Sequence, residues 1–113
     1  MVTEPLFGKA KWKNTELEKD FQQRVIEVLT YNGWRVFSIP DSRRASIKGY
    51  PDLTCWHPKH DRLVFIELKR EKGRISAEQV IVLEELKRIT ETYLFRPSDW
   101  DKIIGIAKGE VLE

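Results

Sequence analysis

Residues 49–56 read GYPDLTCW and residues 62–69 read RLVFIELK, and these two stretches decide the fold of the chain. Both are rich in strand-forming residues, and the segment 57–61 between them contains Pro58 and is typical of a turn. A hairpin closed by this turn places Asp52 opposite Glu67, because the midpoint between the two positions falls inside the turn. Opposed residues on one sheet face lie roughly 5 Å apart, so the sequence predicts that the two carboxylates share one site.

Lys69 lies two residues after Glu67 and is therefore predicted on the same face of the strand. Leu63 and Phe65 share that face, so we expect the polar pair to form the end of an otherwise buried surface. Two carboxylates are suitable hard-oxygen ligands for a divalent cation, and a neighbouring ammonium group can orient water or stabilise charge on a phosphate. The combination indicates a small metal-dependent nuclease.

Each half of this pattern also has an ordinary structural interpretation. A Pro-Asp pair is common in turns, and an acid and a base two residues apart on a strand often form a solvated pair. Short motifs of this kind arise frequently by chance. We favour the active-site interpretation because both halves occur together, in order and on predicted strands.

The composition fits one folded domain. The chain has 113 residues, of which 41% are apolar and 34% are charged, and its formal net charge is only +2. The apolar fraction is enough for one hydrophobic core, and the net charge alone does not indicate a nucleic-acid partner. The single Cys55 excludes an internal disulfide and a cysteine-built zinc site. No apolar run reaches the ~20 residues of a membrane span and no signal-peptide core is present, so we expect a cytosolic protein with no membrane partner.

The remaining sequence predicts an α/β domain. Residues 1–14 are interpreted as an N-terminal arm and residues 15–113 as the domain, with Thr15 as the cap of the first helix. Asn32 and Gly33 end this helix. Helices are expected to flank a mixed central sheet, since each element has an apolar side to bury. The predicted order is α-β-β-β-α-β-α, over residues 15–32, 34–39, 52–56, 62–69, 76–90, 92–95 and 98–107.

Two groups of basic residues border the proposed site, one before Asp52 and one after Glu67. They are Arg43, Arg44 and Lys48, and then Arg70, Lys72 and Arg74. Contacts between such residues and phosphates give affinity and salt dependence without reading base sequence. The alternative is a solvated run of charge. Because the groups flank the site from both sides, we expect them to bind DNA, although no motif for reading bases is present.

Two other sets of residues receive structural interpretations. His57 and His60 are expected in a surface turn rather than in a zinc site, because Cys55 is the only thiol. The tryptophans are scattered, and we interpret them as core or dimer contacts rather than as a platform for stacking bases. They are Trp12, Trp34, Trp56 and Trp100.

The site motif also resembles a known family. The chain resembles the PD-(D/E)XK nucleases, which have a restriction-endonuclease-like fold. The residues that match the core motif of these nucleases are Pro51, Asp52, Glu67, Leu68 and Lys69. The longer pattern GYPDL, FIELK and GRISAEQ, in residues 49–53, 65–69 and 73–79, is similar to the VRR-NUC branch of that superfamily. The resemblance extends from about residue 15 to about residue 107.

The resemblance implies a role for each motif residue. Asp52, Glu67 and the backbone carbonyl of Leu68 would hold Mg²⁺ or Mn²⁺. Lys69 would orient or activate the water that attacks the phosphorus. These roles together describe catalytic hydrolysis of a phosphodiester.

An acid on the first helix usually completes such sites, and two candidates are present. Glu18 stands four residues before Gln22, as in the family's Glu-x-x-x-Gln pattern, and this spacing places both on one helix face. We therefore expect Glu18 to complete the site with support from Gln22, and Glu16 is the alternative; either acid is also explained as an ordinary first-turn acid. Gln79 has two compatible interpretations, a capping box with Ser76 and a place beside the active site.

The resemblance thus implies a Mg²⁺-dependent DNA endonuclease that acts on branched or Holliday-junction-like DNA, in the stand-alone form of phage and bacterial members. The expected setting is the cytoplasm of a bacterium or of a phage-infected host. Two symmetric sites can cut two strands, so a homodimer is expected. The alternative is a non-catalytic nucleic-acid-binding module with the same fold, which the intact Asp52, Glu67 and Lys69 disfavour.

Overall fold

Helices and strands follow one another in the predicted order in the computed structural model, which describes residues 17–39 and 46–112. The elements are α1 (Glu18–Tyr31), β1 (Arg35–Ser38), β2 (Leu53–His57), β3 (Arg62–Leu68), α2 (Ala77–Lys87), β4 (Glu91–Phe95) and α3 (Trp100–Ala107). A single turn of 3₁₀ helix, Pro97–Asp99, precedes α3. The expected α/β class is confirmed.

The sheet has the strand order β1-β2-β3-β4 and is mixed, as predicted. Strands β1, β2 and β3 form an antiparallel meander, whereas β4 runs parallel to β3. A parallel partner requires a crossover connection, and α2 supplies it. One end of the meander therefore lies close to the first turn of α2.

Helices α1 and α3 cover one face of the sheet. Their apolar side chains pack on Leu53 and Cys55 of β2 and on Val64, Ile66 and Leu68 of β3, all fully buried. Full burial of side chains of this size contributes about 1.5–3 kcal/mol each. Burial also raises the pKa of the Cys55 thiol to about 12.

Helix α2 lies on the opposite face, at its β4 side. It packs against β4, and its buried residue Leu83 is separate from the main cluster. On the same face Leu63 is exposed and Phe65 is only half-buried. The prediction that these two residues lie on an otherwise buried surface is therefore wrong, because α1 and α3 cover the other side of β3.

The boundaries of the helices differ slightly from those predicted. Helix α1 begins at Glu18 with Leu17 in the N-cap position, and Thr15 lies outside the described residues. It ends at Tyr31, and Gly33 follows with a left-handed φ of 92°, which only glycine adopts without strain. Helix α2 ends at Lys87, three residues before the predicted Thr90.

The prediction that His57 lies in a surface turn is wrong, because His57 is the last residue of β2 and is buried. The Lys59 N–H donates to its Nδ1 at 3.2 Å, so Nε2 carries the proton that is donated to the Asn32 carbonyl at 3.0 Å. Its ring also meets Trp34 edge-on. His60 is exposed, as expected for the turn.

Trp34 and Trp100 are core residues, as one interpretation of the tryptophans predicted. Trp56 is 45% exposed and is not a core residue, and Trp12 lies outside the described residues. None of the described helices is long and apolar enough to cross a membrane.

Candidate active site

The β2–β3 hairpin brings Asp52 and Glu67 together. Leu53 pairs with Ile66, so the next position outward places Asp52 opposite Glu67, which is the register expected from the midpoint of the turn. The Leu68 N–H donates to Asp52 Oδ2 at 2.8 Å. This bond continues the hairpin ladder through a side chain and fixes the Asp52 carboxylate at the end of the strands.

Glu67 is an ionisable residue with only 1% of its surface exposed. Its Oε2 accepts a hydrogen bond from Gln79 Nε2 at 2.9 Å and lies 3.5 Å from Lys69 Nζ. Its Oε1 is buried and accepts from no donor group within the described part of the protein, and the Asp52 carboxyl can hydrogen-bond the Glu67 carboxyl only when one of the two acids is protonated. A buried carboxylate oxygen without a partner is costly, so this atom is well suited to a ligand.

A cavity of about 530 Å³ opens beside these groups. It is lined by Glu18, Lys48, Gly49, Tyr50, Asp52, Glu67, Lys69, Ser76, Glu78 and Gln79. The residues come from the N-terminus of α1, the ends of the hairpin and the first turn of α2. Four separated segments of the sequence therefore meet at one concave surface.

The pKa values of three acids in this cavity are raised above their ordinary values. Burial, followed by the neighbouring charge of Asp52, raises the pKa of Glu67 to about 8, and Lys69 acts in the opposite direction. Burial also raises the pKa of Asp52, against the lowering effect of the Leu68 hydrogen bond. The pKa of Glu18 is raised by burial and then by Asp52. Crowded carboxylates with raised pKa values are typical of functional sites.

The donor set fits a hard divalent cation. Two facing carboxylates, one with an unpartnered oxygen, provide the oxygen ligands that Mg²⁺ and Mn²⁺ prefer. Within residues 17–39 and 46–112 no group of three or more His, Cys, Asp or Glu side chains is placed to hold a metal ion. A cation would therefore depend on Asp52, Glu67, main-chain oxygen and water.

Gln79 makes both sets of contacts that the sequence suggested, one in the capping box and one beside the site. Its backbone N–H donates to Ser76 Oγ and its Oε1 accepts from the Ser76 N–H, which completes a capping box on α2. The remaining end of the same amide donates to Glu67. One side chain thus connects the start of α2 to the buried carboxylate.

Gly49 allows the hairpin to approach α2 this closely. Its φ is 88°, and a Cβ atom at this position would lie 2.5 Å from the Glu78 carbonyl oxygen. Any other residue would push the chain away from the first turn of α2. Gly49 therefore permits the close contact with the first turn of α2 that forms this part of the cavity wall.

The other predicted residues are distributed around the site. Lys48 is exposed on the cavity wall, and Arg70, Lys72 and Arg74 are exposed in the β3–α2 loop. Gln22 is half-buried on α1, one turn after Glu18, and is not part of the cavity wall as described. The first basic pair, Arg43 and Arg44, and the alternative acid Glu16 lie outside the described residues.

Arg96 is a residue that the sequence analysis did not identify. Its Nη1 donates to the carbonyls of Arg70, Glu71 and Gly73, at 2.7, 3.2 and 2.8 Å. The Ser98 N–H donates to the Glu71 side chain at 3.0 Å. The basic loop is therefore fastened to the segment that follows β4.

The chain is similar to known proteins in its sequence pattern and in its fold. The family model described as the VRR-NUC domain matches residues 14–92. A solved structure described as a VRR_NUC domain superposes with a TM-score of 0.62 and 24% identity, covering 77% of this chain and 92% of that one. No curated protein sequence matches significantly. The structural likeness shows a shared fold, and the family match covers well over half of the sequence.

Proposed function

The chain belongs to the VRR-NUC domain family, a family of nucleases, and from this membership and the geometry of the cavity we propose that it is a divalent-metal-dependent DNA endonuclease. The proposed reaction is hydrolysis of a phosphodiester in branched or Holliday-junction-like DNA. The observation that carries the proposal is the meeting of Asp52 with Glu67, whose buried Oε1 is unpartnered in the described structure.

Asp52, Glu67 and the Leu68 carbonyl are the proposed ligands of Mg²⁺ or Mn²⁺. The N–H and C=O groups of a strand residue point to the same side, and the Leu68 N–H points to Asp52. The Leu68 carbonyl would therefore point to the same side of β3 as the Leu68 N–H. The bound ion would polarise the phosphate and lower the pKa of a water ligand.

Lys69 and Glu18 complete the proposed catalytic set. The Lys69 ammonium would donate to the attacking water or to a phosphate oxygen, and its position 3.5 Å from Glu67 on the cavity wall supports this role. Gln79 holds the Glu67 carboxylate, and Glu18 adds negative charge near Asp52. Gln22 is proposed to support Glu18 from the next turn of α1.

DNA is proposed to lie across the basic residues that flank the cavity. Lys48, Arg70, Lys72 and Arg74 would contact phosphates, together with Arg43 and Arg44. The proposal includes a nuclease domain over residues 15–113, a homodimer with two symmetric sites, and action in the cytoplasm of a bacterium or of a phage-infected host.

The experiment that tests this function is cleavage of a labelled four-way DNA junction with Mg²⁺, with Mn²⁺ and with EDTA. We expect cleavage with either metal and none with EDTA. Asp52→Ala should abolish cleavage, and Lys69→Ala should slow it about 10²–10⁴-fold, the usual range for lost proton-transfer catalysis.

Glu85→Ala and Lys102→Ala are matched controls, because both residues are exposed and lie outside the cavity wall. Both should cleave at the original rate. Cleavage that persists in Asp52→Ala would contradict the assigned site. Junction binding without cleavage under every metal condition would instead support the non-catalytic module.

A further inference from the structure

The face of the sheet opposite α1 and α3 carries exposed aromatic residues on β1 and β2. Phe37 is 55% exposed, Trp56 is 45% exposed, and Leu63 of β3 is 42% exposed. Residues paired across strands share a face, so the pairs Phe37 with Thr54 and Trp56 with Leu63 place all three side chains on one surface. We call the surface formed by Phe37, Tyr50, Trp56, Leu63 and Phe65 the aromatic face.

This aromatic face is continuous with the candidate active site. Tyr50 lines the cavity, and its ring meets Phe65 edge-on with centroids 5.8 Å apart. The Tyr50 hydroxyl also shares a hydrogen bond of 3.0 Å with Thr54 Oγ1. The aromatic face therefore starts at the cavity wall and extends away from Asp52 along β2 and β3.

Basic side chains are present at both ends of this surface. Lys48 lies on the cavity wall beside Tyr50. Arg35 is exposed on β1 and is paired with Trp56, so it projects from the same face. Exposed aromatic rings with a cation at each end match the chemistry of a strand whose bases stack while its phosphates remain charged.

We propose that the aromatic face binds the unpaired bases of a DNA strand whose backbone passes through the nuclease cavity. This inference rests on the proposed function. Every base has a π-face, so stacking on these rings needs no particular sequence. Bases within an intact duplex are already stacked and are not available to the rings. The aromatic face thus supplies a physical cause for preferring those branched DNAs that carry unpaired nucleotides over an intact duplex.

The test is a titration of the protein into a fluorescein-labelled 12-nucleotide oligothymidine in EDTA, following the fluorescence anisotropy of the label, so the readout does not depend on any tryptophan. We expect an affinity at least about five-fold lower in Trp56→Leu and in Phe37→Leu, in line with the loss of one stacked base. The affinity for a blunt duplex should fall by a smaller factor than the affinity for the single strand.

Leucine is chosen because it keeps an apolar side chain and removes the π-face. Ile89→Ala changes an exposed apolar residue outside the aromatic face and should not alter the affinity. Unchanged oligothymidine affinity in both leucine variants would overturn the inference. A change from dimer to monomer in light scattering, with unchanged affinity, would also overturn it and assign the face to a second copy of the chain.

Failure of this inference is distinguishable from failure of the proposed function. The titration contains no metal and needs no turnover, so it reports on the aromatic face alone. Metal-dependent junction cleavage that is lost in Asp52→Ala would stand even if Trp56 proved irrelevant to single strands.

Discussion

Glu67 is the residue whose environment has the clearest energetic consequence. Its pKa is raised to about 8 from an ordinary 4.5, so between these pH values the folded protein binds more protons than the unfolded chain. Stability must then fall as pH rises through this window. A bound divalent cation would offset the repulsion that opposes ionisation.

We predict that in EDTA the free energy of unfolding decreases from pH 5 to pH 8, with a slope of at most about 1.4 kcal/mol per pH unit from this one proton. Glu67→Gln should flatten the slope and be the more stable protein at pH 8. Urea unfolding at several pH values measures both. Glu85→Gln is the control, and equal slopes for Glu67→Gln and the original chain would refute the prediction.

Variants of Ser76 and Gln79 can distinguish the stabilising effect of the helix cap from the effect of Gln79 on the active site. Ser76→Ala removes only the cap and should cost about 1 kcal/mol of stability while cleavage is retained. Gln79→Ala keeps the backbone donor to Ser76 Oγ but removes the acceptor of the Ser76 N–H and the donor to Glu67, so it should lower both the stability and the cleavage rate. Urea unfolding measures the stability of the two variants, and junction cleavage on the same preparations measures their activity. Equal cleavage by both variants would leave Gln79 as a cap alone.

At the scale of elements, the β3–α2 loop depends on the segment after β4. The Lys69 N–H donates to the Phe95 carbonyl at 3.1 Å, and the next residue, Arg96, donates to three carbonyls of the loop. Hydrogen bonds from a charged donor are stronger than neutral ones, so this contact fixes the loop effectively. The end of β4 and Arg96 thereby fix the positions of the basic residues in the β3–α2 loop.

We predict that Arg96→Ala increases amide hydrogen exchange in residues 70–74 and costs about 1.5–3 kcal/mol of stability. Junction affinity should fall, because the basic side chains lose their fixed positions. Arg96→Lys should recover part of both effects, since an ammonium group also donates three hydrogen bonds. Exchange measured by mass spectrometry tests the loop directly, with Arg88→Ala as the control; unchanged exchange would contradict this role.

For the whole molecule, the sequence predicted the order of elements, the mixed sheet and the hairpin register. The register followed from the turn midpoint between Asp52 and Glu67, a local relation. Periodicity showed that Leu63, Phe65 and Glu67 share a face, but it did not show which face the helices cover. The contacts of Arg96 were not predictable, because they join a distant side chain to backbone carbonyls that leave no sequence pattern.

Metal binding should be visible in the stability of the whole domain. A ligand that binds only the folded state at 100 times its dissociation constant stabilises it by about 2.7 kcal/mol. We predict that Mg²⁺ or Mn²⁺ raises the melting temperature and that EDTA reverses the change. Asp52→Ala should show no such shift, and Lys102→Ala should show the full one. An equal shift in Asp52→Ala, measured by calorimetry, would place the ion elsewhere.

The buried thiol of Cys55 makes this protein convenient for site-specific labelling. A thiol with a pKa of about 12 and no exposed surface is a poor nucleophile toward maleimides at neutral pH. A cysteine introduced at exposed Lys59, in the turn at the far end of the hairpin from Asp52, would then be the reactive one. Fluorophores attached there would report distances between protein and DNA without altering the acids that face the cavity.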